Sequence, residues 1–239
     1  HKFDTMPLAI VTERKSAYSG LNIPLIQTTN ARRAYAYAYS SFLKIDYSKF
    51  KIIGVTGTNG KSSVCRIIKE LLTAEGKKCG LIGTGIIEAD TAMLSGKYYS
   101  MTTPDPEVLY PAILEMERRG IEYILMEVSS HALALHKCEP LDFELALFTG
   151  LSPEHLDFHK NLENYFEAKK RLFQKAKKSV ILTDGKYGER LYSDFKSKAV
   201  SAGINTGIIK AENIGEGAFS HVLPYESCRS GKRSAHLPC

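Results

Sequence analysis

Short apolar runs alternate with amphipathic segments along most of this chain of 239 residues. Between residue 51 and about residue 210, the apolar runs predict strands, and apolar positions spaced three or four apart predict helices. The predicted strands are 52–56, 79–83, 122–128, 144–149 and 179–183, and the predicted helices are 62–75, 106–119, 161–176 and 186–197. Strands that alternate with helices in this way are typical of an α/β fold with a mostly parallel sheet and flanking helices.

The two ends of the chain follow other patterns. Residues 8–11 and 23–26 are short strand candidates, and residues 31–43 are rich in Ala and Tyr, with a run at 33–39 that alternates like a strand. The alanine content and the length of this last segment favour a helix. We therefore predict a partial, small α/β N-terminal domain over residues 1–48 and a central domain over 49–219. Residues 220–239 show neither the periodicity of a helix nor that of a strand, and we expect a disordered or non-native tail there.

Composition and charge fit a globular protein that handles anions. The net charge of +6 is mild and suits a nucleotide ligand as well as it suits nucleic acid. The chain has no Trp and no basic stripe interleaved with aromatic residues, so binding to nucleic acid has little support. No apolar run approaches about 18–20 residues, so we expect no membrane insertion. The five cysteines form no CxxC pair, and we expect reduced thiols in a cytoplasmic protein.

The strongest chemical signal is a glycine-rich loop after the strand 52–56, with the sequence Gly54-Val-Thr-Gly-Thr-Asn-Gly-Lys-Ser-Ser63. Its glycines let backbone amides converge on phosphate oxygens, Lys61 adds a positive charge, and the Ser62 hydroxyl can ligate Mg²⁺. The strict Walker spacing would place a glycine where this chain has Val55, so the match is to a shorter variant. An ordinary glycine turn is the alternative interpretation. The order of strand, loop, Lys-Ser and helix favours a phosphate-loop-type sheet.

Polar residues also follow two other predicted strands. Glu127 and Ser129 come at the end of strand 122–128, where an acid could hold Mg²⁺ on the phosphates of a bound nucleotide. Without further context, Glu127 could equally be a salt-bridged carboxylate, and Ser129 could be a helix cap. The segment from His155 to His159 follows strand 144–149 and suggests a metal or catalytic cluster, although it lacks the spacing of a zinc site.

For two further stretches, the residue types alone do not indicate a function. Thr102 and Thr103 precede a Pro-Asp-Pro turn, which reads as the entry to a helix. The helix 161–176 has by composition a solvated basic face, and nothing in its residue types singles out Lys169.

Taken together, these stretches resemble the Mur ligases, the ATP-dependent amide ligases of peptidoglycan precursor synthesis. The glycine loop fits the wider superfamily, which includes the folylpolyglutamate synthases. Thr102-Thr-Pro-Asp-Pro106 and Glu127-Val-Ser-Ser-His-Ala-Leu133 narrow the resemblance to the MurE type. That type joins a diamino acid to UDP-N-acetylmuramoyl-L-alanyl-D-glutamate. The resemblance covers roughly residues 8–219 and implies the fold of the central Mur ligase domain.

The resemblance, and not the spacing, implies a role for each matching residue. Catalytic roles fall to Lys61, Glu127, His155 and Lys169. ATP binding falls to Gly57, Thr58, Asn59, Gly60, Lys61, Ser62 and Ser63. Contacts with the UDP-linked substrate fall to Thr102, Thr103, Ser129 and Lys137. Magnesium ligands would be Ser62, Glu127, His155 and Lys169, the last as a carbamate, in which CO₂ added to the neutral amine makes a carboxylate.

This chain departs from the family pattern at several positions. Lys137 stands where the family usually has Arg, which keeps the charge and loses the bidentate fork. Gly150 replaces an Asn, and Glu154 replaces an Asp. The resemblance also leads us to expect that the C-terminal domain, which selects the incoming amino acid, is absent.

The implied reaction has two steps, an attack of the D-glutamyl carboxylate on the γ-phosphate of ATP and an attack of the amine on the resulting acyl phosphate. The acceptor would be meso-diaminopimelate or L-lysine, and the protein is expected to be a monomer. A folylpolyglutamate-synthase-like ligase and a non-catalytic, truncated nucleotide-binding fragment remain as alternatives.

Overall fold

The computed structural model describes residues 8–14, 20, 22–94 and 101–211. The predicted tail 220–239 therefore lies outside the described residues. The elements in chain order are β1 (Ile10–Thr12), β2 (Leu25–Gln27), α1 (Ala31–Leu43), β3 (Lys51–Thr56), α2 (Lys61–Ala74), β4 (Cys79–Gly83), β5 (Ile86–Ala89), β6 (Ala92–Met93), α3 (Pro106–Arg118), β7 (Tyr123–Glu127), α4 (Ser130–Ala134), β8 (Phe143–Phe148), α5 (Leu156–His159), α6 (Leu162–Gln174), β9 (Ala176–Leu182), α7 (Lys186–Phe195), β10 (Ala199–Gly203) and β11 (Ile209–Lys210).

Nine of these strands form one sheet in the order β11-β10-β9-β8-β3-β7-β4-β5-β6. Neighbouring strands are parallel from β11 to β4, and β5 pairs antiparallel with both β4 and β6 at one edge of the sheet. Strands β1 and β2 form a separate parallel pair. The predicted α/β class with a mostly parallel sheet is confirmed. Because β3 lies between β7 and β8, the loops after these three strands meet at one edge of the sheet.

Apolar side chains of β3 alternate between the two faces of this sheet. Ile53 and Val55 pack with Cys65, Leu81 and Leu125 beneath helix α2. The other face carries the larger core, in which Ile52, Met126 and Ile181 pack against residues of α3, α6 and α7. Burial on both faces explains why the central strands read as continuous apolar runs rather than as alternating patterns.

The structure moves some predicted boundaries and adds short elements. Strand β9 begins at Ala176, three residues before the predicted start at 179, because its second and third residues, Lys177 and Lys178, interrupt the apolar pattern. The four short strands β5, β6, β10 and β11 were not predicted, since strands of two to five residues are too short to show a clear periodicity of their own. Helix α3 starts at Pro106 as predicted and contains Pro111 in its interior.

Other expectations concern the cysteines and the membrane. The described cysteines, Cys65, Cys79 and Cys138, are free and buried, as expected of reduced thiols. Cys228 and Cys239 lie outside the described residues. In the part of the chain that the structure describes, none of the helices has the length and apolar character needed to cross a membrane.

Candidate functional site

The glycine loop joins the end of β3 to the start of α2, where a phosphate site is expected. Gly60 caps the helix with a φ of 83°, a left-handed conformation that suits glycine. Ser62 and Ser63 lie exposed in the first helical turn, whose backbone N–H groups have no partner within the helix. Such a turn attracts anions through its free N–H groups and through the helix dipole. The loop therefore has the local structure of a phosphate cradle.

Two lysines converge on this cradle. The Lys61 ammonium donates hydrogen bonds to the Gly57 and Thr58 carbonyl oxygens at 3.0 and 2.8 Å. The Lys169 side chain enters from α6 and donates to the same Gly57 carbonyl at 2.8 Å. Backbone carbonyls are weak partners for a cation compared with a phosphate anion. The two amines are thus already placed beside the loop that would hold the phosphates.

Lys169 is buried to an unusual degree for its residue type. Its side chain is among the largest fully buried ones, and the residue is 2% exposed. Burial, followed by the nearby positive charge of Lys61, lowers the pKa of the Lys169 amine to about 7. The aromatic face of Tyr165 lies 4.5 Å from Nζ. At neutral pH, a large share of Lys169 is therefore the neutral amine, the form that can add CO₂.

Glu127 ends β7 beside the phosphate loop and is also nearly fully buried, at 2% exposed. Its carboxylate accepts a hydrogen bond from the Thr84 backbone N–H at 3.2 Å and another from the Thr84 hydroxyl at 3.3 Å. A Cβ at Gly83 would lie 2.2 Å from Glu127 Oε1, so the glycine makes room for this carboxylate. The negative charges of Glu127 and Glu154 oppose the effect of burial, which lowers the pKa of Lys61.

The expected substrate residues gather next to Glu127. The Thr103 hydroxyl donates to the Glu127 carbonyl at 2.8 Å and accepts from the Ser129 backbone N–H at 2.9 Å. Ser129 caps α4 by accepting from the Ala132 N–H, so the capping role foreseen for it is confirmed. The Lys137 ammonium pairs with Asp105 at 2.8 Å, on the loop that also carries Thr102. The structure thus brings these residues together beside Glu127.

The histidine segment, residues 155–159, also borders the site. His155 has a φ of 54° and caps the short helix α5, and its ring lies 4.9 Å from that of His131. His159 is buried, its Nε2 lies 2.9 Å from the Ser130 hydroxyl, and burial lowers the pKa of its imidazole to about 4. Across the described ranges, no group of three His, Cys, Asp or Glu residues is arranged to hold a metal ion. A metal here would need ligands beyond these side chains.

Sequence reasoning missed the residues that connect the phosphate loop to the segment after β8. The Thr149 hydroxyl donates to the Asn59 carbonyl, and the Thr58 N–H donates to the Gly150 carbonyl at 3.0 Å. The Thr58 hydroxyl and the Ser152 backbone also exchange hydrogen bonds, at 3.2 and 2.9 Å. Thr149 is the last residue of the predicted strand 144–149 and directly follows the observed strand β8, and this position at a strand end is the signal that could have identified it. The phosphate loop and the histidine segment are therefore one connected unit.

This connection predicts that Gly57 cannot accept a side chain. A Cβ at Gly57 would lie 2.0 Å from Thr149 Oγ1 and 3.1 Å from the Gly150 carbonyl oxygen. We expect Gly57→Ala to shift the loop and to weaken ATP binding by about tenfold or more, measured by calorimetry.

The control for this variant is Gly76→Ala. Gly76 has a φ of 76° and open space around its Cβ position, away from the loop. This variant should lose stability through backbone strain while binding ATP as the parent does. Equal ATP affinity in the Gly57 variant and the parent would contradict the proposed packing of the loop.

Fold and site together define a phosphate-loop α/β protein with a second, buried lysine at the loop. The sequence matches the Mur ligase middle domain over residues 55–235. The chain is also 40% identical, over 199 residues, to a UDP-N-acetylmuramoyl-L-alanyl-D-glutamate–2,6-diaminopimelate ligase from Caldanaerobacter subterraneus, an alignment that covers 82% of this chain and 40% of that protein. The chain therefore belongs to the Mur ligase family, as its motifs indicate.

Solved structures agree with this assignment. A UDP-N-acetylmuramoyl-L-alanyl-D-glutamate–2,6-diaminopimelate ligase superimposes with a TM-score of 0.70 at 27% identity, covering 83% of this chain and 40% of that one. A bifunctional folylpolyglutamate synthase/dihydrofolate synthase from Yersinia pestis shares the fold, with a TM-score of 0.56 at 17% identity over 78% of this chain and 51% of that one. The chain spans about 40% of the length of the curated relative it matches. The match to the middle domain runs to residue 235, beyond residue 219, where the motif-based resemblance ended.

Proposed function

We propose that this chain is the ATP-binding part of an amide ligase that joins a diamino acid to UDP-N-acetylmuramoyl-L-alanyl-D-glutamate. The observation that carries the proposal is the convergence of Lys61 and Lys169 on the Gly57 carbonyl. A buried carboxylate, Glu127, ends the neighbouring strand. Two amines and a carboxylate around a phosphate loop suit the transfer of a phosphoryl group between anionic reactants.

The donors present fit Mg²⁺ bound together with a nucleotide. The Glu127 carboxylate and the Ser62 hydroxyl are hard oxygen donors, and Mg²⁺ is commonly held by one or two carboxylates plus phosphates and water. The small number of protein donors agrees with such a site, in which the nucleotide completes the shell. His155 and a carbamylated Lys169 remain further candidate ligands. When bound, the metal would neutralise charge on the transferring phosphoryl group.

The chain's own residues would act mainly by positioning. The amides of Gly57 to Ser63 and the Lys61 ammonium would hold the β- and γ-phosphates, and they would reduce the repulsion felt by an approaching carboxylate. That D-glutamyl carboxylate attacks the γ-phosphorus, and ADP leaves with the bridging oxygen. The amine of the diamino acid then attacks the acyl carbon, loses a proton and expels inorganic phosphate.

The substrate side of the proposal rests on the loop that carries Thr102 and Thr103. This loop packs against the end of β7, and Lys137 points towards it, so a substrate bound there would lie beside the phosphates. The names of the curated relatives favour 2,6-diaminopimelate over L-lysine as the acceptor. A monomeric state and a cytoplasmic location complete the proposal.

A folylpolyglutamate-synthase-like activity is the second candidate, because a protein of that class shares the fold. Its solved structure matches this chain with a lower TM-score and a lower sequence identity than the structure of the muramoyl-dipeptide ligase does. The Thr102-Thr103 pair and Ser129, which narrowed the resemblance, also favour the muramoyl dipeptide.

The experiment is phosphate release from ATP by the intact natural protein. We expect release only when UDP-N-acetylmuramoyl-L-alanyl-D-glutamate and meso-diaminopimelate are both present, with L-lysine tested in parallel. Release that requires a folate and glutamate would instead support the second candidate. Binding of ATP without release under any of these conditions would support a non-catalytic fragment.

A further inference from the structure

Three threonines on two loops surround Glu127. Thr84 follows β4, and Thr102 and Thr103 lie on the loop before α3. Thr84 holds the Glu127 carboxylate through its backbone N–H and its hydroxyl, at 3.2 and 3.3 Å. Thr103 holds the backbone of the same residue, because its hydroxyl donates to the Glu127 carbonyl at 2.8 Å. We call this group the threonine clamp.

The Thr84 hydroxyl also reaches the substrate loop, since its oxygen lies 3.1 Å from Thr102 Oγ1. A hydroxyl has one proton to donate, and an ionised carboxylate can only accept. The Thr84 hydroxyl is placed to donate either to Thr102 Oγ1, at 3.1 Å, or to the Glu127 carboxylate, at 3.3 Å, so these two acceptors compete for its single proton. The Thr84 hydroxyl therefore links the Thr102 oxygen and the Glu127 carboxylate as a donor that either of them can take.

This chain of bonds joins two sites that have different proposed ligands. Thr102 belongs to the loop expected to contact the UDP-linked dipeptide, and Glu127 is the carboxylate expected to hold Mg²⁺. A ligand group that donates a hydrogen bond to Thr102 Oγ1 takes the place of Thr84 there, so the Thr84 proton stays on the Glu127 carboxylate.

On the basis of the proposed function, we infer that Thr84 is a positioning residue that couples binding of the UDP-linked dipeptide at Thr102 to binding of the divalent cation at Glu127. Coupling of this kind is reciprocal, so each ligand changes the affinity of the other by the same factor. Thr84 touches neither reactant in this account. It acts through the orientation of the Glu127 carboxylate.

The test measures cation affinity rather than turnover. The intact natural protein is loaded with ADP, and Mn²⁺, as a spectroscopic substitute for Mg²⁺, is titrated with detection of free Mn²⁺ by electron paramagnetic resonance. Each titration is done without and with saturating UDP-N-acetylmuramoyl-L-alanyl-D-glutamate. In the parent protein we expect the dipeptide to change the Mn²⁺ dissociation constant by about fivefold or more, within the usual range of coupling between sites.

Thr84→Val keeps the shape of the side chain and removes the hydroxyl. We expect it to reduce the coupling to less than about twofold, because the hydroxyl that links Thr102 to the carboxylate is removed. The backbone N–H of residue 84 would still hold the carboxylate. Thr91→Val is the matched control, since Thr91 is an exposed threonine in the turn between β5 and β6. It should keep the parent's coupling. Thr84→Ser should also keep the coupling, because it retains the hydroxyl, and it serves as the second variant if Thr84→Val does not fold.

The possible outcomes distinguish a failure of the coupling role of Thr84 from a failure of the proposed ligase function. If the parent binds the dipeptide and Thr84→Val shows the same coupling as the parent, Thr84 does not couple the sites, although the ligase proposal stands. If the dipeptide leaves the Mn²⁺ affinity of the parent protein unchanged, the proposed coupling through Thr84 is also wrong. A parent protein that binds no dipeptide overturns the proposed function, and the clamp with it. Loss of coupling in Thr84→Ser would show that side-chain packing, and not the hydroxyl, is responsible.

Discussion

Replacement of Lys61 by Ala is expected to abolish measurable turnover. The Lys61 ammonium is a half-buried cation of the phosphate loop, held by the Gly57 and Thr58 carbonyls at 3.0 and 2.8 Å. In a complex with ATP, phosphate oxygens would replace these weaker partners, and the charge would stabilise the phosphoryl group during transfer. Loss of one such preorganised group typically lowers kcat by about 10²–10³. Phosphate release under saturating substrates measures the effect.

Lys77→Ala is the control for this prediction. Lys77 lies just after the same helix, and it makes an exposed ion pair with Glu122. An exposed pair of this type contributes little to stability, so this variant should retain the parent's kcat. Substantial turnover by Lys61→Ala would remove the phosphate loop from the catalytic account.

Replacement of Lys169 by Ala is the second change with a large expected effect. The reason is that Lys169 is fully buried beside the loop with a pKa lowered to about 7, so that its neutral amine can form a carbamate. We expect a loss of activity of about 10² or more, because the carbamate proposed at this position would lie beside the phosphate loop and would be lost. Added acetate or formate should partly restore the activity by supplying a carboxylate in the vacated space.

Lys170→Ala provides the matched control, since Lys170 is the next residue of α6 and pairs with Asp194 on α7 at 2.8 Å. It should retain activity and should not respond to acetate. Incubation with ¹³CO₂ should give a carbamate signal in the NMR spectrum of the parent and of Lys170→Ala. The role of Lys169 is wrong if Lys169→Ala is as active as the parent, or if the parent shows no carbamate signal.

The pH dependence of this modification follows from the direction of the pKa shift. Burial favours the neutral amine, and protonation removes the lone pair that attacks CO₂. At a fixed concentration of dissolved CO₂, the carbamate signal should therefore stay high above pH 7. It should fall as the pH drops below about 7. An ordinary exposed lysine would show the corresponding fall near pH 10.

Much of the central domain could be predicted from the sequence, because its strands are buried on both faces and its helices have one apolar side. Strand β4 and the start of α3 lie where the pattern predicts them. The antiparallel β5–β6 hairpin could not be predicted, since its strands have only four and two residues. Pairing with β4, and not intrinsic preference, makes them strands.

Only part of the candidate site could be predicted from the sequence. The glycine loop carries its chemistry in its own residues, whereas Lys169 was found only by resemblance, because it stands in a basic run with Lys170 and Arg171. A signal was present nonetheless. Lys169 occupies a position between Tyr165 and Phe173, four residues from each, in the middle of the buried stripe of α6. A lysine at the centre of an apolar helical stripe is a candidate for function.

The position of Thr84 shows what sequence reasoning cannot supply. It lies 43 residues from Glu127 in the chain, and only the parallel pairing of β4 with β7 brings the two strand ends together. Thr149 and Asn59 are joined in the same way, across the pairing of β3 with β8. Contacts of this kind depend on the order of strands in the sheet, which the local pattern does not determine.

The central claim is that the phosphate loop and its two lysines serve transfer of the γ-phosphoryl group to a carboxylate. The most direct test uses UDP-N-acetylmuramoyl-L-alanyl-D-glutamate labelled with ¹⁸O in the D-glutamyl side-chain carboxylate, with ATP, Mg²⁺ and meso-diaminopimelate, and measures the isotope content of the released phosphate. An acyl phosphate intermediate predicts that each phosphate carries one ¹⁸O from the carboxylate. Phosphate without ¹⁸O, released together with amide formation, would contradict the account.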